Sequence, residues 1–240
     1  MARKKVVFII VEGPSDQDAL EMLLTKIFIS DSVHVEVMHG DITTDLDVTP
    51  TNIKQKLADV IKSYANQFRL NSSHFCRVIH LIDTDGAYVP DDCILEDESL
   101  ENPHYSLTAI TAKKRANIID RNLRKRNNVN VLHTCPTIWS IPYSVYYMSC
   151  NLDHVLHNKL NSTDEEKELD AYAFAKQYRN DVDAFVKFIC ESDFSVVGEY
   201  PQSWLFIKEE KHSLERYTNF GICLKEDNSN GIPAAPNVNA

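Results

Sequence analysis

Residues 78–86 read VIHLIDTDG, and this run decides the fold class when it is set beside VVFIIVEG at residues 6–13. Each is an apolar, β-branched stretch of strand length. Each stops at an acidic residue with glycine one to three positions further on. Near-continuous hydrophobicity is what a parallel strand covered on both faces requires, so the pair predicts an α/β fold. The carboxyl ends of such strands open on a common edge, and that edge then carries Glu12, Asp83 and Asp85.

Three carboxylates at close range repel one another, by on the order of a few kcal/mol per pair at about 4 Å near a protein surface. Such a cluster implies a raised pKa or a bound cation. Oxygen-only donors favour a hard ion, Mg2+ before Mn2+. The plain alternative for Asp-x-Asp-Gly is a turn, because Asp hydrogen-bonds its own backbone and Gly supplies positive φ. A second acidic turn, Glu12-Gly13, at the end of a second buried strand tips the balance toward a site.

The elements follow in order. Ser15 is a good N-cap for a helix with Asp18 at the capping-box position and Leu20, Leu23, Leu24 and Ile27 on one face. Asp16 in its first turn either adds an oxygen to the site or answers the helix dipole. Residues 33–38 form a second strand ending at His39-Gly40-Asp41. Thr49-Pro50 opens a helix bearing Ile53, Leu57, Val60, Ile61, Tyr64 and Phe68, and the order so far is βαβαβ. Residues 87–104 read as a surface loop bordering the site.

Thr111 caps a basic helix that turns Ala112, Ala116, Ile119 and Leu123 inward and its Lys and Arg residues outward. Residues 129–133 predict a fourth strand. Trp139 introduces a helix carrying Val145, Met148, Leu152, Val155 and Leu156, and a further helix from Tyr172 to Ile189 places Tyr172, Phe185 and Ile189 inward. The division predicted is therefore residues 1–136 as an α/β unit with a mostly parallel four-stranded sheet, 137–225 as a helical extension packed on it, and 226–240 as a poorly ordered tail.

With 43% hydrophobic residues in 240, the chain can bury a sizeable core. No apolar stretch approaches membrane-spanning length, and the expectation is a cytoplasmic protein that does not enter the membrane. Its six scattered cysteines read as reduced thiols. The net charge of −10 argues against nonspecific coating of nucleic acid, but residues 113–126 hold seven basic residues and one acidic. Lys113, Lys114, Arg115, Arg121 and Arg124 are thus candidates for a phosphate-binding face, against the alternative of a solvated helix surface.

IIVEGPSDQDAL, HGD and IDTDG, in that order, resemble the TOPRIM domain of topoisomerases, primases and OLD-type nucleases, over roughly residues 4–134. EGPSD before an amphipathic helix looks most like the small bacterial OLD-like group, some members of which serve in phage defence. The resemblance implies a Rossmann-like sheet and a nuclease that hydrolyses phosphodiester bonds in DNA or RNA. Asp83 and Asp85 would hold Mg2+, Glu12 would complete the coordination or act as general base, and Asp16 matches a position that helps a second ion. OLD proteins carry an ATPase half that this chain lacks, which leaves open a separate ATPase partner, and a homo-oligomer is open as well. They also use a downstream lysine, for which Lys208 and Lys211 are the candidates by position. Two rival readings stand beside it: LIDTDGAYV resembles the nucleophile strand of haloacid-dehalogenase-like phosphatases, and a TOPRIM shell can serve as a non-catalytic assembly module.

Overall fold

The β-branched run near the amino end forms the strand its composition demands: β1 (Lys5–Val11) is buried from Val6 onward. The computed structural model describes residues 4–30 and 32–229, with side chains as far as Lys225. In it, β1 pairs in parallel with β2 (Val33–His39) on one side and β3 (Phe75–Asp83) on the other. α1 (Pro14–Phe28) joins β1 to β2, and α2 (Ile53–Gln67) carries the chain across to β3. Successive strand side chains face opposite ways. Val7, Ile9 and Val11 therefore pack with Leu20, Leu23 and Leu24 of α1, whereas Val6, Phe8 and Ile10 pack with Leu57 and Ile61 of α2. The strand order reverses between β1 and β3, where an open α/β sheet leaves a crevice beyond its carboxyl ends.

The helix starts differ from the sequence reading. Gly13, not Ser15, is the N-cap of α1, and Asp16 takes the capping-box place by accepting from the Gly13 N–H at 2.9 Å. α2 begins three residues later than its Thr-Pro signal, because the Thr49 N–H donates to Asn52 Oδ1 at 2.8 Å and closes a turn first.

Beyond β3 the segment expected to be a loop carries strands. β4 (Ile94–Glu96), β5 (His104–Tyr105) and β6 (Ile110–Ala112) form a small sheet in the order β4-β6-β5. Val89, Ile94 and Ile110 bury there against Ile118 and Leu214. Ile118 lies on α3 (Arg115–Leu132), which absorbs most of the segment predicted as a fourth strand. Ile118, Asn122, Lys125, Val129 and Leu132 make one buried stripe at 3,4 spacing, so the alternation in VNVLH is subordinate to the helix that precedes it. The predicted inner face is displaced: Leu123 is 48% exposed.

The fourth parallel strand is β8 (Ile141–Met148), which pairs with β3 and was predicted as helix. A strand covered on both faces has no periodicity of its own, and the 3,4 match of Val145, Met148 and Leu152 arises from a continuous apolar run. Tyr143, Val145 and Tyr147 pack on one face, Tyr146 and Met148 on the other. β7 (Thr137–Ile138) adds an antiparallel edge, giving five strands in the order β2-β1-β3-β8-β7 instead of the expected four. The architecture is mixed α/β with a mostly parallel sheet, and one of its central strands comes from the stretch expected to be purely helical.

α4 (Leu152–His157), α5 (Asp164–Tyr178), α6 (Val182–Glu191), α7 (Tyr200–Phe206) and α8 (Phe220–Ser229) follow. α5 opens with a full capping box, Thr163 Oγ1 accepting from the Glu166 N–H and the Glu166 carboxylate from the Thr163 N–H. It turns Ala171, Phe174 and Tyr178 inward and leaves Tyr172 exposed, contrary to expectation. α8 runs to Ser229, past the predicted start of the tail, and the remainder of the tail lies outside the described residues. The six cysteines are free thiols. Among the described residues no helix is long and apolar enough to cross a membrane.

His80 of β3 is completely buried, with Nδ1 2.9 Å from the Tyr143 hydroxyl. Burial depresses its pKa from 6.5 to about 4, so the folded ring is neutral. Its contribution to stability is complete above pH 6.5 and is lost progressively as pH falls from 6.5 to about 4. Denaturant unfolding at pH 7 and 4.5 should show the His80→Leu/Tyr143→Phe double variant losing about 2 kcal/mol less over that interval than the wild type.

Candidate active site

The ends of β1 and β3 deliver Glu12, Asp83 and Asp85 to the crevice, and the rest of the chain locks the second turn. The Thr84 N–H donates to the Met148 carbonyl at 2.9 Å and the Asp85 N–H to the Cys150 carbonyl at 2.8 Å. The Thr84 hydroxyl donates to the Ser213 carbonyl and accepts from the Cys150 N–H, both at 2.8 Å. Asp85 itself lies in the left-handed region, with φ of 50°. Gly86 follows at φ of 65°, and a Cβ there would stand 2.6 Å from Leu214 Cδ2 and 2.9 Å from Ile110 Cδ1. Backbone conformation and crowding both require glycine.

Lys125 of α3 reaches into the centre of this acidic set. Its Nζ is 3.1 Å from Glu12 Oε2 and contacts Asp85 Oδ2, and its side chain is 1% exposed. The sequence reading pointed this lysine outward. The missed signal was its register with Ile118, Asn122, Val129 and Leu132. Thr43, also unforeseen, donates to Glu12 Oε1 at 3.1 Å, and its own N–H is held by Asp41 Oδ1 at 3.0 Å. Asn128 of α3 donates to the Thr43 carbonyl at 3.0 Å, so the same helix positions both partners of Glu12.

The electrostatics divide the carboxylates. Burial opposes the charge on Lys125, but Asp85, Glu12, Asp41 and Asp83 outweigh it and hold its pKa above the ordinary lysine value. Glu12 is pushed up to about 8, chiefly by burial, with Lys125 opposing and Asp41 and Asp85 adding. Asp16 is pushed up to about 6, again by burial, against the hydrogen bond from Gly13. Asp83 lies well above the carboxylate range because of burial and then Asp16, Glu12 and Asp85. No described residue makes a hydrogen bond or ion pair with the Asp83 carboxylate.

Two cavities adjoin at Asp83. One, of about 480 Å³, is lined by Glu12, Asp16, Asp83, Asp164 and Lys167. The other, of about 630 Å³, is lined by Asp83, Asp85, Tyr105, Asn161, Asp164 and Lys167. The first turn of α5 thus forms one wall of both, and Lys167 is a cation at the groove that the sequence reading did not select.

Most of the predicted basic face is spent inside the protein. Arg115 donates to the carbonyls of Ile94 and Asp91. Arg121 donates to the Asp85 carbonyl at 2.8 Å and to the Tyr105 hydroxyl, bracing the acidic turn. Arg124 donates to the Thr44 carbonyl at 3.2 Å. Lys208 stands 2.9 Å from His133 Nε2, and neither it nor the half-buried Lys211 is among the residues that reach Glu12 or Asp85. Lys113 and Lys114 remain exposed ahead of α3.

As they stand, no three His, Cys, Asp or Glu side chains among the described residues form a group that could hold a metal ion. The donor chemistry still fits a hard divalent cation: every donor is a carboxylate oxygen, and no described residue makes a direct hydrogen bond or ion pair with the Asp83 carboxylate. Gly86→Ala should destabilise by about 2–4 kcal/mol in denaturant titration, from strain at positive φ and overlap with Leu214. Lys125→Met should cost about 2–4 kcal/mol in chelator, since it leaves two part-buried carboxylates without their shared cation. Compared with family models, curated proteins and solved structures, the chain matches none.

Proposed function

We propose that this chain is a metal-dependent nuclease of TOPRIM type, hydrolysing phosphodiester bonds in DNA or RNA with Mg2+ or Mn2+. The observation that carries the reading is the convergence of Glu12 and Asp85, from the ends of separate parallel strands, on one buried ammonium beside a partnerless Asp83. A mostly parallel sheet with Glu12, Asp83 and Asp85 at or beyond the carboxyl ends of adjacent strands supports the reading. Glu12, Asp16 and Asp83 would hold the ion at the smaller cavity. When bound, it supplies orientation of the scissile phosphate, offset of developing charge and a lowered pKa for water.

The remaining work falls to the chain. Thr43 and Lys125 hold the Glu12 carboxylate in place at the smaller cavity. At the groove wall, Lys167 offsets negative charge on the phosphate. Lys113 and Lys114 offer the exposed cations for the flanking backbone.

Plasmid DNA and structured RNA should be cut in Mg2+ or Mn2+ and left intact in chelator. Asp83→Asn and Glu12→Gln should each lower the rate by at least about 100-fold. Asp83→Asn should not lower the unfolding midpoint, because it removes a carboxyl group whose charged form is opposed by burial and by Asp16, Glu12 and Asp85. Equal cutting by wild type and both variants would exclude the reading.

A further inference from the structure

Lys125 differs from the other basic residues of α3 in that its charge is enclosed. Arg115, Arg121 and Arg124 neutralise backbone carbonyls, whereas Lys125 alone enters the carboxylate set. Its ammonium lies between Glu12 Oε2 and Asp85 Oδ2 and so takes the place of any cation that both residues would hold together. A buried ammonium and a divalent cation cannot share that place: both would be desolvated, with like charges at ionic contact.

Anchorage on both sides keeps the ammonium there. α3 is tied to the acidic turn through Asn122 to the Gly86 carbonyl at 3.3 Å and Arg121 to the Asp85 carbonyl, and to the Glu12 side through Asn128 and Thr43. Asp83 is left out of this arrangement. It lines the smaller cavity together with Asp16 and Glu12, and Asp85 does not line that cavity. Asp16 uses Oδ2 on the Gly13 N–H, and its Oδ1 makes no hydrogen bond.

We infer that Lys125 is a resident cation that takes one of two cation positions, so that the chain binds a single divalent ion, on Asp83, Asp16 and Glu12, with Asp85 reserved for the lysine. This rests on the metal-dependent reading above and adds the ion count and the role of each carboxylate. The ammonium also offsets part of the repulsion within the acidic set before any ion arrives.

Mn2+ titration of the whole protein, followed by calorimetry and by electron paramagnetic resonance, tests this without any substrate. The wild type should bind one Mn2+ per chain with an isolated-ion spectrum. Lys125→Met should bind two with a spin-coupled spectrum, and Mn2+ should raise its unfolding midpoint more than that of the wild type. Should that variant fail to fold, the second pair decides: Asp85→Asn keeps a count of one, and Asp83→Asn weakens binding by at least about 100-fold, more than loss of an outer partner costs. Two ions in the wild type, or one in a folded Lys125→Met, would overturn the inference and leave the nuclease reading intact. No Mn2+ bound by wild type or variants would overturn both.

Discussion

A buried ammonium facing several carboxylates is the constraint on which the site depends. Taking Lys125 out of water costs several kcal/mol, and only close, well-held anions offset that. Glu12 and Asp85 meet it directly, and Asp41 and Asp83 act at longer range. The converse is equally firm: the acidic ends of β1 and β3 converge without prohibitive repulsion because α3 brings a positive charge to them. Each side of the pair is the condition for burying the other.

That constraint explains much of the surrounding architecture. α3 must run directly beneath the turn after β3, and the small sheet β4-β6-β5 leads the chain from that turn to the start of α3. Its apolar residues bury against Ile118 and Leu214, and Leu214 is also the side chain that closes on Gly86. The Ser213 and Cys150 carbonyls, far along the chain, hold Thr84 and Asp85. β8 supplies the Met148 carbonyl from within the sheet. The acidic turn is thus gripped from three later segments, which permits Asp85 to keep a left-handed backbone.

Charge is distributed by the same logic. A protein with net charge −10 carries a basic helix, yet most of that helix's cations point into the fold. Guanidinium groups end on backbone carbonyls, and one lysine ends in the carboxylate set. What remains outside is a groove whose floor is Asp83 and whose wall is the first turn of α5, with Lys167 as its cation.

By itself the sequence determined the two buried parallel strands, the acidic residues at their ends and the alternation of strand and helix as far as β3. These features are local: β-branched runs, caps and Asp-Gly turns carry their structure in adjacent residues. Only the tertiary structure decided that residues 129–132 continue a helix and that residues 141–148 are a strand, because a fully covered apolar run has the same pattern in either state. It alone decided that Lys125 faces inward, since one cation among seven in a basic stretch takes its direction from the charges that await it across the fold.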